Sequence, residues 1–62
     1  MAGRPEILME MIAQGFRRDR ISKFQTDKIV VCVTAKMFDG TVLKDAVKGC
    51  LREARESGAI PP

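Results

Sequence analysis

The chain has 62 residues, of which 45% are hydrophobic and 31% charged, and its formal net charge is +3. This length allows one small helical domain over residues 1–62, with loose ends at 1–4 and 59–62. The longest apolar run, 29–33, is far shorter than the ~20 residues of a membrane-spanning helix. The first residues lack a cationic region followed by an apolar stretch, so they are not expected to act as a signal peptide. We therefore expect a cytoplasmic protein with no membrane partner.

The residue types that support catalysis or metal binding are scarce. The chain has no histidine, and it lacks a nucleophile elbow and a phosphate-binding glycine-rich loop. Its two cysteines, Cys32 and Cys50, do not make an ordinary four-ligand zinc site without histidine. Because cytosolic thiols stay reduced, we expect two free cysteines packed as small apolar residues. We expect no enzyme, no metal and no cofactor.

The first predicted element is a helix over 5–14. Four apolar residues recur on one of its faces at helical spacing: Ile7, Leu8, Met11 and Ile12. Gly15 is a natural left-handed residue for the end of a helix. We expect Phe16, just beyond it, to fold back onto Met11.

The middle of the chain predicts two further elements. Residues 18–24 are read as a short second helix, and Thr26 or Asp27 as the N-cap of the next one. Residues 28–38 combine β-branched side chains, which favour a strand, with a helical stripe that ends at Gly40. We favour a helix. The alternative is a β-hairpin over 28–44 that turns at Asp39 and Gly40.

The last predicted helix has the clearest pattern. Thr41 can cap it, Ser57 and Gly58 end it, and apolar residues cover half of its surface: Val42, Leu43, Ala46, Val47, Cys50, Leu51 and Ala54. Gly49 in its interior indicates close approach of another helix or has no packing role. The predicted fold is an all-α bundle of three to four helices. Such small domains often gain stability by self-association, so we expect a homodimer.

The joint after the first helix resembles a known DNA-binding motif. Ile12-Ala13-Gln14-Gly15, with Ile21 nine positions after Ile12, resembles the helix-turn-helix of quorum-sensing-type transcriptional regulators. Thr26-Asp27-Lys28-Ile29-Val30 is similar to the start of that family's recognition helix. The resemblance covers roughly residues 6–40 and implies a DNA-binding transcriptional regulator. Apolar side chains stand where base-reading groups are expected, so contacts to the DNA backbone are favoured over base readout.

The candidate nucleic-acid-binding residues form one basic cluster. Together with Asp19 and Asp27, this cluster accounts for the whole net charge of the chain. Cations near a turn and two helix N-termini suit phosphate binding. The predicted contact residues are Arg17, Arg18, Arg20, Lys23 and Lys28.

A second resemblance points to a protein partner instead. Residues 8–11 with Gly15-Phe16, followed by the apolar last helix, look like the three-helix ubiquitin-associated fold. That resemblance implies a protein-interaction module with an apolar patch formed by Met11, Gly15, Phe16 and Leu51. Exposure of Phe16 and Met9 separates the two hypotheses, because exposed apolar groups favour a protein partner and buried ones favour a DNA-binding scaffold.

Overall fold

A computed structural model describes residues 2–62 of the chain. It contains three α-helices, α1 (Arg4–Ala13), α2 (Lys23–Phe38) and α3 (Leu43–Glu56), and a single 3-10 turn at Arg18–Arg20. The prediction of an all-α bundle is therefore confirmed. Residues 2–62 contain no strand, so the β-hairpin alternative is wrong. In this described part of the chain, no helix is both long and apolar enough to cross a bilayer.

The ends of α1 follow the local sequence closely. At its start, the backbone N–H of Gly3 donates to the Glu6 carboxylate at 2.7 Å. At its end, the N–H of Phe16 donates to the Met11 carbonyl at 3.0 Å, and Gly15 adopts φ = +97°. This left-handed conformation is strained for residues with a Cβ, so glycine is needed at this position. The predicted end of the first helix is confirmed.

The start of α2 differs from the prediction. Residues 18–24 do not form a helix, because the 3-10 turn stops at Arg20 and Ser22 becomes the N-cap of α2. The Ser22 hydroxyl accepts the N–H of Gln25 at 3.2 Å. Thr26 is not a cap: its hydroxyl donates to the Ser22 carbonyl at 3.0 Å, and the residue is buried inside the helix. The helix predicted over 28–38 is confirmed, but it begins five residues earlier.

The core lies between the three helices, and α3 packs against both α1 and α2. Met11, Val33 and Val47 are fully buried in it. Ile60, which the sequence places among the loose terminal residues, is also part of the core. The buried apolar set is Ile7, Leu8, Met11, Phe16, Ile29, Val30, Val33, Ala46, Val47, Cys50, Leu51, Ala54 and Ile60.

Two features of α3 differ from those expected from the sequence. Its N-cap is Val42, which offers no side-chain hydrogen bond, so the predicted cap at Thr41 is wrong. The Lys36 side chain of α2 crosses over Gly49: a Cβ built there would lie 3.5 Å from the Lys36 Cε. Beyond this crossing, the Lys36 Nζ reaches the Glu53 carboxylate at 3.0 Å. Gly49 therefore marks the approach of a side chain rather than of a helix backbone.

A disulfide joins α2 to α3. Cys32 and Cys50 are bonded, with Cα atoms 6.0 Å apart. The expectation of two reduced thiols is therefore wrong. Each cysteine faces the neighbouring helix along an apolar run, and this brings the two thiols together. A cross-link over a loop of this size contributes about 3 kcal/mol to stability in the chain-entropy account.

We expect the two methionines of α1 to differ sharply in their effect on stability. Met11→Ala should lower the free energy of unfolding by about 2–5 kcal/mol, because it leaves a cavity at a site with 0% exposure. Met9→Ala is the matched control, since Met9 is 71% exposed. Its effect should stay within about 0.5 kcal/mol. Urea unfolding followed by circular dichroism measures both, and equal effects would contradict this description of the core.

Candidate functional site

The turn between α1 and α2 presents three arginines to solvent. Arg17, Arg18 and Arg20 are all exposed. Apolar residues hold the turn at both ends: Phe16 is buried in the core, and Ile21 packs against it. Because both anchors point inward, the polar residues between them are held outward. These are three of the five residues predicted to contact nucleic acid, and the turn leaves them accessible.

Side chains from other parts of the chain extend this basic surface. Arg4 and Lys23 line a shallow depression together with Arg18. On the other side, Arg55 joins Arg17 and Arg20 around a pocket of about 160 Å³. Apolar residues of the core, including Phe16 and Ile60, also line this pocket. We call the whole surface the basic end; its cations are Arg4, Arg17, Arg18, Arg20, Lys23 and Arg55.

Lys28, the fifth predicted contact residue, lies apart from the basic end. Its Nζ lies 5.5 Å from the centre of the Phe24 ring, a cation–π contact one turn along α2. It lines a depression between α2 and α3 that also includes Glu53. The structure thus brings four of the five predicted residues together and places Lys28 on a different side of α2.

The carboxylates near the basic end neutralise only part of its charge. Asp27 accepts from the Arg4 guanidinium, and its other oxygen lies 3.0 Å from the Lys23 Nζ. The hydrogen bond from Arg4, followed by that from Lys23, holds the pKa of Asp27 below its usual value. Asp19 lies 3.7 Å from the Arg17 Nε, and both groups are solvated.

Three arginines of the basic end keep their charge unpaired. Within residues 2–62, Arg18, Arg20 and Arg55 form no ion pair with a carboxylate. A guanidinium in this state offers a planar fork of donors that matches the oxygens of a phosphate or a carboxylate. The basic end is therefore suited to an anionic ligand.

The prediction of an accessible apolar patch, implied by the ubiquitin-associated resemblance, is wrong. Met11, Phe16 and Leu51 are 0%, 3% and 1% exposed, so a partner has no access to them. The other diagnostic residue, Met9, is exposed on the far side of α1. The burial of Phe16 agrees with a DNA-binding scaffold, whereas the exposure of Met9 does not. Any surface for a protein partner must use other residues.

Comparison with known proteins adds no family to this description. No protein-family model, no curated protein and no solved structure matches the chain. The two family resemblances described above therefore remain predictions.

We expect Asp27 to make stability depend on acid pH. A carboxyl whose pKa is lowered by folding stabilises the protein above its unfolded pKa, and this stabilisation is lost as the pH falls through the folded value. Asp27→Asn should therefore be less stable than the natural chain at neutral pH. The difference should close as the pH falls below about 4. Thermal unfolding at a series of pH values measures it.

The control for this experiment is Glu56→Gln. Glu56 is exposed and forms no ion pair within the described residues. Its variant should follow the natural chain across the whole pH range. A stability deficit of Asp27→Asn that stays constant down to pH ~2 would mean that packing, and not charge, makes Asp27 important.

Proposed function

We propose that this protein binds duplex DNA through its phosphate backbone, using the basic end. The observation that carries the proposal is the exposed arginine turn. Within residues 2–62, its Arg18 and Arg20 have no carboxylate partner, and Arg55 adds a further unpaired charge. Unpaired guanidinium groups that lie close together repel one another, and all of them attract a polyanion. The helix-turn-helix resemblance favours a small transcriptional regulator as the context for this activity.

The side chains present on the chain favour backbone contacts over base readout. Base recognition in the major groove uses polar groups on a helix, such as arginine, asparagine and glutamine. The exposed side of α2 instead carries Phe24, Val31 and Phe38. Contacts to phosphates position a protein on DNA without reading its sequence. We therefore expect weak dependence of affinity on DNA sequence.

The size of the electrostatic contribution can be estimated from the number of cations. Each neutralised phosphate adds about −0.9 to the slope of log affinity against log salt concentration. If Arg17, Arg18 and Arg20 each bind one phosphate, the slope is about −3. Non-specific affinities of this kind lie at about 10⁻⁴–10⁻⁶ M at physiological salt. A measurement at one salt concentration does not identify this mode of binding, whereas the slope does.

The test removes the arginines of the turn together. A variant carrying Arg17→Ala, Arg18→Ala and Arg20→Ala should lose most of its affinity for a fluorescent duplex of about 20 base pairs. Its salt slope should be smaller in magnitude by about 2–3. Fluorescence anisotropy titrations at three salt concentrations give both quantities. Circular dichroism of the variant confirms that the helices are intact.

The matched control removes the same charge from α3. Lys44, Lys48 and Arg52 are exposed there, outside the basic end. Alanine at these three positions should leave the salt slope nearly unchanged. An equal loss in both variants would mean that net charge alone drives binding, which overturns the proposed site. A natural chain that does not bind duplex DNA, or binds it with no salt dependence, overturns the function.

A further inference from the structure

The side of α2 that faces away from the core is also apolar. Phe24, Val31 and Phe38 are 69%, 67% and 74% exposed. Lys28 and Ala35 lie between them and are exposed as well. We call these five residues the outer stripe. Large exposed apolar groups on successive turns of one helix mark an association surface rather than a solvated face.

The spacing of the outer stripe is that of a helix-pairing seam. Its members follow each other at intervals of four, three, four and three residues. This alternation is the 3.5-residue repeat at which one helix packs its side chains between those of another. The core side of α2 is formed by a different set: Thr26, Ile29, Val30 and Val33. Thus α2 has one apolar face covered by α1 and α3 and a second that nothing in the described chain covers.

We propose that the outer stripe pairs with the same stripe of a second copy, forming an antiparallel homodimer centred near Val31 and Ala35. A two-fold interface uses one patch on both subunits, so the patch must fit itself. The outer stripe has small side chains at its centre and a phenylalanine at each end. The small centre lets two helices approach closely, and each ring then extends over the other end of the partner helix.

Charge selects the antiparallel arrangement. A parallel pair would place Lys28 against its own copy, and two ammonium groups at that distance repel each other. An antiparallel pair places Lys28 beside the C-terminal turn of the partner's helix, where Phe38 and Asp39 lie. Asp39 is exposed and forms no ion pair within residues 2–62. The negative end of the helix dipole adds to the attraction.

The area of the outer stripe predicts a weak, concentration-dependent dimer. A phenylalanine side chain buries ~150–250 Å². At the observed exposures, the two rings with Val31, Ala35 and the Lys28 stem supply roughly 400 Å² per copy. A standard interface uses about 800 Å² per partner. The stripe is therefore large enough for the centre of an interface, and the dimer should dissociate on dilution.

The antiparallel dimer also has a consequence for DNA binding. This consequence rests on the proposed function, whereas the dimer itself does not. Lys23 lies about ten residues from the centre of the pair, or about 15 Å along the helix. The two basic ends are therefore about 30 Å apart, at opposite ends of the dimer. This separation is close to the ~34 Å of one turn of duplex DNA. Both basic ends can then contact the same face of one duplex.

Sedimentation velocity over a concentration series tests the dimer without nucleic acid. The natural chain should show a reversible monomer–dimer equilibrium. Val31→Glu should raise the dissociation constant about tenfold or more, because it buries like charges at the centre of the pair. Met9→Glu is the matched control, an equally exposed apolar residue on α1, and should change the constant less than twofold. A natural chain that stays monomeric at millimolar concentration, or equal effects of both variants, overturns the dimer.

Zero-length carbodiimide coupling tests the antiparallel arrangement. Lys28 and Asp39 are about 16 Å apart along one helix, too far to be coupled within a chain. In a mixture of unlabelled and ¹⁵N-labelled chains, mass spectrometry should find Lys28–Asp39 links between the two kinds of chain. A dimer with Asp39 coupled only within its own chain overturns this arrangement. Neither experiment contains DNA, so failure here leaves the proposed function standing, and loss of DNA binding leaves the dimer standing.

Discussion

Burial of Phe16 at the end of α1 is the contact on which the position of the site depends. Its N–H closes the last turn of the helix on Met11, while its ring enters the core. The chain is thereby anchored just before the arginines, and Ile21 anchors it again just after them. With both anchors inside, the turn has little freedom, and its guanidinium groups are held on one surface. The same burial removes Phe16 from any partner-binding patch.

The sequence predicts features that depend on interactions between residues close together along the chain, and misses those that depend on tertiary contacts. The end of α1 at Gly15 depends on hydrogen bonds within six residues, and it was predictable. The start of α2 was not, because Ser22 and Thr26 have the same capping chemistry and only the packed bundle decides between them. The basic turn was visible as a local charge cluster. Arg55 was not assigned to it, because α3 reaches the turn only through the tertiary fold.

The distribution of carboxylates explains why the basic end keeps its charge. Asp27 is bound by two cations from different elements, Arg4 and Lys23, and so it ties α1 to the start of α2. It can neutralise no further arginine. In the turn, Arg18 and Arg20 are left to solvent, and the exposed contact between Arg17 and Asp19 contributes little to stability. The cations of this surface thus fall into two groups. Arg4 and Lys23 pair with Asp27 and hold the helices together, whereas the unpaired arginines are available to a ligand.

The two apolar faces of α2 connect the fold to the proposed assembly. A helix that is apolar on one face only can bury that face entirely in the core of its own bundle. In α2, Val33 faces inward with no exposure, whereas Val31, two residues earlier, is two-thirds exposed. The Cys32–Cys50 disulfide lies between these positions and fixes the helix against α3. Rotation of α2 to bury the outer stripe is therefore prevented, because it would break this link and expose Val33. The remaining way to cover the stripe is from outside the bundle formed by residues 2–62, and the self-complementary pattern of the stripe favours a second copy.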